Sequence, residues 1–170
     1  MRTSLTLLFL FLIQLSWAQE EDPMKYRHFA SVTFAYGIVP QGSDEDNIEK
    51  GHLVPALGAD YLFRLAPKWE VGLMVDFELA TYVIPRKENL KRERALLIVP
   101  VGVYNILPGW SAFGGAGIEL EKHKNLPVFR LGTEYSFPIK NRWVIPVGIF
   151  MDVKEGYENF SFSVGIGRSF

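Results

Sequence analysis

His28, His52 and His123 are the chain's three histidines, and no cysteine accompanies them in 170 residues. Ester hydrolysis needs a nucleophilic serine with a histidine in reach, and the nearest local pair is His28 with Ser31. Their separation is odd, and successive side chains of an extended strand point to opposite faces, so this pair cannot meet. A serine and a histidine brought together from distant strands is the minor alternative. No histidine has a neighbour at metal-ligand spacing. Asp44-Glu45-Asp46 lacks the spacing of a calcium loop, and the chain has no Gly-x-Ser-x-Gly elbow and no phosphate loop. Gly114-Gly115-x-Gly117 falls within a strand, where it eases curvature. Catalytic residues, cofactor and metal are therefore all expected to be none. The missing cysteines also exclude a disulfide scaffold, a thiolate site and a lipidated N-terminal cysteine.

The residues that do stand in a pattern are charges. Asp60, Arg64, Glu70, Asp76, Glu78, Glu119, Arg130, Glu134 and Asp152 each occupy the small or polar side of an alternating segment. Ala30, Val32, Phe34, Tyr36 and Ile38 alternate with Phe29, Ser31, Thr33, Ala35 and Gly37. The same period of two runs through Leu53–Leu65, Trp69–Leu79, Trp110–Leu120, Phe129–Phe137, Trp143–Met151 and Phe160–Ile166, and with a strand around Ala95–Ile106 that makes eight. Each is near the ~10 residues that cross a bilayer when tilted. The face with large apolar side chains carries too many rings for a narrow eight-stranded interior, whereas the small and charged face fits one. The apolar side, including Phe34, Phe63, Phe77, Phe129 and Phe162, is expected to meet lipid.

The connections alternate in size. Gln41–Lys50, Arg86–Arg94, Lys122–Pro127 and Lys154–Asn159 read as longer polar loops. Ala66–Lys68, Leu107–Gly109 and Ile139–Arg142 read as tight turns. Long loops on one rim and short turns on the other describe an all-β, eight-stranded antiparallel up-and-down transmembrane barrel with a filled polar interior. A strand ending in Tyr, a turn, and a strand opening with Trp recurs three times. Tyr61, Trp69, Tyr104, Trp110, Tyr135 and Trp143 are thus expected to form an aromatic girdle.

The charged face is expected to be a plug that fixes strand register, with a gated proton or cation path as the lesser reading. A short turn sets Arg64 opposite Glu70 as an ion pair. Arg130 and Glu134 lie ~13 Å apart along one strand, so each needs a partner elsewhere. Seven carboxylates against two arginines leave an acidic imbalance, to be met by water or by protonation. Pro55, Pro100 and Pro146 interrupt strands and are expected at bulges. Around Pro100, Leu97, Val99, Val101 and Val103 compete with Leu96, Ile98 and Tyr104 for the outer face, and parity is unresolved.

Residues 1–18 carry one charge, an apolar run and the small-residue site Ser16-Trp17-Ala18, the pattern of a signal peptide. Residues 19–26 then form a short periplasmic segment, and 27–170 the barrel. Without Arg2 the exported chain has 17 basic against 19 acidic residues, a balance unlike that of a nucleic-acid binder. The loops differ in sign. Gln41–Lys50 is acidic, while Arg86–Arg94 is basic and suited to anionic lipid head groups outside.

Residues 27–170 resemble the small eight-stranded outer-membrane barrels of Gram-negative bacteria, with a style like those of Bacteroidetes. The most specific element is the C-terminal strand, where Phe160, Phe162, Val164, Ile166 and Phe170 look like the insertion signal such proteins give their assembly machinery. The resemblance implies the outer membrane as location, its lipid and the barrel assembly machinery as partners, and loops open to an extracellular ligand. It implies no single activity. A non-enzymatic structural or surface-interaction role is expected. A lipid-modifying barrel enzyme and a secreted lipocalin-like binder of a small apolar ligand are the alternatives.

Overall fold

A computed structural model describes residues 25–43, 51–85 and 89–170. The leader read over 1–18, nearly all of the 19–26 segment, Asp44-Glu45-Asp46 and the start of the Arg86–Arg94 loop lie outside those residues.

Strands form where the period of two holds. They are β1 (His28–Val39), β2 (His52–Ala66), β3 (Trp69–Glu78), β4 (Thr81–Ile84), β5 (Leu90–Glu93), β6 (Leu96–Leu107), β7 (Trp110–Leu120), β8 (Leu126–Pro138), β9 (Trp143–Lys154) and β10 (Tyr157–Ser169). Eight of them close an antiparallel barrel in the order β1-β10-β9-β8-β7-β6-β3-β2. The closing seam pairs β1 with β10 from Phe29↔Ser169 to Ile38↔Phe160. At its end His28 and Phe170 exchange backbone hydrogen bonds of 3.1 and 2.8 Å. A closed wall leaves no unpaired edge, which removes the usual route to edge-to-edge association.

The two faces are chemically inverted. Val32, Phe34, Tyr36, Leu57, Phe77, Phe129 and Phe162 stand exposed on the outside. Glu70, Asp76, Glu119, Arg130 and Asp152 are buried on the inside. A water-soluble barrel requires the opposite arrangement, because apolar area gains by leaving water and charge loses. Interior glycines make room for the charges. A Cβ on Gly58 would sit 2.3 Å from the Thr33 hydroxyl and 2.5 Å from an Asp76 carboxylate oxygen.

One feature of the wall settles a parity the sequence left open, and two differ from the sequence reading. Leu97, Val99, Val101 and Val103 of β6 face inward and pack with Leu62, Met74, Phe113 and Val128. Leu96, Ile98 and Tyr104 therefore take the outer face. Both faces of β6 are apolar, so hydropathy alone could not set its parity. The prolines do not sit at bulges. The register shifts lie between Arg64 and Ala66 and between Asn105 and Leu107, beside the turns. At Pro100 and Pro146 the register is kept while the ladder on one side drops the pairings next to the ring, because proline has no N–H to donate. Finally, Lys154–Asn159 is not a long loop. β9 runs to Lys154 and β10 starts at Tyr157, leaving a two-residue turn with Gly156 at φ 84°.

The connection between β3 and β6 holds an unforeseen element. β4 and β5 pair as a separate hairpin, from Thr81↔Glu93 to Ile84↔Leu90. Ser43 bridges to its outer strand at Val83.

Candidate functional site

The interior and the two rims carry the polar chemistry. At the rim of the longer connections, Lys154 reaches Glu78 at 2.8 Å and Glu119 at 2.9 Å. Arg92, from β5, enters the same cluster. Its Nε donates to Glu119 at 2.7 Å, and its Nη1 donates to the Lys124 carbonyl at 2.6 Å. The Tyr82 hydroxyl donates to Glu78 at 3.0 Å and the Tyr157 hydroxyl to Glu119 at 2.9 Å. Val39, Val54, Ile84 and Leu126 pack around these groups. Arg92 and Lys154 were missed in the sequence because both fell in segments read as loops. The only signal was parity, since Lys154 is two residues beyond the inward Asp152.

Mid-barrel, Arg130 pairs with Asp152 directly across the β8–β9 ladder, at 2.6 and 2.8 Å. It also reaches Asp76 at 2.5 Å, on the far wall. At the short-turn rim Arg64 stands opposite Glu70 in register and donates to it at 2.7 Å, with Asn105 adding a bond of 3.1 Å. Asp60 accepts from Ser31 at 2.9 Å and Glu134 from Ser136 at 3.3 Å. The excess of seven carboxylates over two cations thus falls to seven over four. Between and beside these pairs lies the apolar cluster of β6. An interior void lined by Ala35, Asp76, Arg130, Asp152 and Asn159 measures about 10 Å3, the size of a single water site.

The aromatic residues line up by register on the outer wall. Trp69 pairs with Tyr104, ring centres 4.9 Å apart, and Trp110 pairs with Tyr135. Each Trp thus meets the Tyr of the next hairpin, not that of its own. The third, Trp143, pairs with Arg168 instead. Tyr61 hydrogen-bonds His28 at 2.6 Å. Phe160, Phe162, Val164, Ile166 and Phe170 are all exposed along the outer face of β10 and its end.

The histidines are placed apart. His28 stacks on Phe170, His52 on Tyr82, and His123 bonds Glu121. Among the described residues no three His, Asp or Glu side chains are grouped to hold a metal ion.

A closed wall with rings outside and ion pairs inside defines a transmembrane β-barrel of the outer-membrane type. The chain is similar in fold to Ail, the attachment invasion locus protein of Yersinia pestis, with 15% identity, a TM-score of 0.53, and coverage of 86% of this chain and 100% of that one. It is also similar to Neisserial surface protein A (NspA), with 8% identity, a TM-score of 0.58, and coverage of 84% and 97%. No family model matches the sequence, and no curated protein matches it.

Proposed function

We propose that this protein is a non-enzymatic barrel of a Gram-negative, Bacteroidetes-like outer membrane, with a structural and surface-contact role. The observation that carries the reading is the lumen. Its ion pairs bridge opposite walls and an apolar layer fills the rest, so the barrel is a solid support and not a conduit. The support carries a hairpin, β4–β5, bolted to it by Arg92. The rim of longer connections then faces outward and the short turns face the periplasm. The two similar folds bear the names attachment invasion locus protein and surface protein, which fits a contact role.

On this reading residues 1–18 direct export and are removed. The outer face of β10, from Phe160 to Phe170, engages the barrel assembly machinery. The Tyr–Trp pairs mark a membrane–water boundary, and the extracellular ligand, where there is one, meets the β4–β5 rim.

Because the chain has no cysteine, single-cysteine labelling tests the orientation. Glu93→Cys on intact cells should react with a membrane-impermeant maleimide, and Lys140→Cys should react only after permeabilisation. The reverse pattern rejects the orientation. The lipid profile of a deletion strain should match the parent. A changed profile that a histidine-to-alanine variant fails to restore would replace this reading with a lipid-modifying enzyme.

A further inference from the structure

Cations collect on the outside of the short-turn rim. Among the described residues Lys25, Arg27, Lys68, Lys140, Arg142 and Arg168 belong to that end of the barrel. The carboxylates of the same half, Asp60, Glu70 and Glu134, bond to residues of the inward face. The charged side chains on the outer surface there are therefore of one sign.

Three of the cations share a patch beside the closing seam. The Arg142 guanidinium lies 4.3 Å from the centre of the Tyr26 ring, and the Lys25 ammonium lies 5.3 Å from the same ring. The Arg168 guanidinium lies 5.6 Å from the Trp143 ring, and its Nε is buried with no protein acceptor. Register brings the two arginines together. Arg168 pairs with Trp143, and the Ser169 N–H donates to the Arg142 carbonyl at 3.2 Å. An aromatic face attracts each cation, but two like charges over one ring repel each other. Among the described residues no side-chain carboxylate forms an ion pair with Lys25, Arg142 or Arg168.

The backbone adds an independent sign. Asn141 and Arg142 have φ of 54° and 68°, and the Trp143 N–H donates to the Lys140 carbonyl at 3.1 Å. This is the two-residue hairpin turn that favours Asn followed by Gly. Arginine in the second place is strained, and such strain marks positions kept for their side chain. Just membrane-side of the patch, Trp143, Ile145 and Ile166 are exposed.

We propose that Arg142, Arg168 and Lys25 bind the phosphate of an anionic phospholipid in the leaflet next to the short-turn rim, with its acyl chains lying along Trp143, Ile145 and Ile166. The neighbouring rings hold the guanidinium groups at the height of the head-group layer, where their terminal Nη groups donate to phosphate oxygens. The inference rests on the membrane reading above, since only a bilayer places acyl chains and phosphate together at this height.

The test uses the full barrel in vesicles of equal phosphatidylcholine and phosphatidylglycerol, with lipids retained after mild extraction identified by native mass spectrometry. The wild type should retain phosphatidylglycerol preferentially. Arg142→Gly should fold at least as stably, because glycine suits the turn, yet lose on the order of fivefold in that preference. Arg168→Gln should lose a similar factor. Neutralising Glu20, Glu21 and Asp22, the nearest acidic run in sequence, should leave the preference in place. Equal retention of both lipids by the wild type overturns the proposal, as does an unchanged preference in the Arg142→Gly/Arg168→Gln double variant or a preference that vanishes with the acidic run. Displacement of phosphatidylglycerol by inorganic phosphate would assign a free-anion site and overturn the lipid. Heat-dependent gel mobility of the same samples separates the two readings. A barrel that does not insert counts against the membrane reading, and one that inserts without lipid preference counts against this site alone.

Discussion

Arg92 and Glu119 meet inside the rim of the longer connections although they belong to different parts of the architecture. Arg92 comes from β5, a hairpin strand outside the barrel ladder, and Glu119 from the inner face of β7. Both side chains are fully buried, and the guanidinium Nε lies 2.7 Å from the carboxylate. The contact turns a long connection into a fixed part of the wall. It also corrects the expectation that Arg92 belongs to an exposed basic loop.

Arg92→Ala should free the hairpin and leave Glu119 with only Lys154 and the Tyr157 hydroxyl. Breaking a buried pair costs about 3–5 kcal/mol. On whole cells the variant should be cut within β4–β5 by an added protease that leaves the wild type intact, while the heat-dependent mobility shift persists.

Arg130→Met should be more damaging to the barrel itself. It leaves Asp76 and Asp152 facing each other with no cation between them, at a cost of about 3–5 kcal/mol. Denaturant unfolding of the refolded protein checks the figure. Adding Asp76→Asn and Asp152→Asn should recover much of the loss, because the penalty lies in the unpaired charges.

Val75→Arg tests the outer face. Val75 lies between Leu73 and Phe77 in the outward parity of β3. A midplane arginine on that side costs ~2–4 kcal/mol or blocks insertion. Normal insertion with unchanged unfolding free energy would reject the assigned orientation.

The rim of the longer connections should respond to acid through Glu121. Burial pushes its carboxyl up, but the His123 ring, the His123 and Lys124 backbone N–H groups and Arg92 outweigh that and hold it below the usual carboxylate range. A lowered value means stability that is full above the free-glutamate value of about 4.3 and lost as pH falls through the lower folded one. The loop between β7 and β8 should therefore stay protected from proteolysis at pH 5 and above and loosen only in stronger acid, by the free-glutamate reference. Glu121→Gln should remove that acid step, and a wild type that loosens near pH 6 would contradict the assignment.

The barrel was legible in the sequence because alternation is a local property, and seven segments show it without ambiguity. β6 was not, since Leu97, Val99, Val101 and Val103 pack inward while Leu96 and Ile98 face out, and a strand apolar on both sides has no parity to read. The opposition of Arg64 and Glu70 follows from one short turn. The partners of Arg130, by contrast, depend on how eight strands close, because Asp76 lies on a wall 54 residues away in sequence. β4 and β5 were hidden by their charge. Lys91, Arg92 and Glu93 look like loop residues until a buried carboxylate gives Arg92 a reason to point in.

The β1–β10 seam carries a consequence for biogenesis. The first barrel strand pairs with the last in chain order, so its backbone stays unsealed until the whole of the intervening polypeptide is in place. Every earlier hairpin is a rehearsal that the final ladder either locks or abandons. A barrel without β10 would not be a smaller version of this protein but an open sheet with two raw margins, each a template for pairing with another chain.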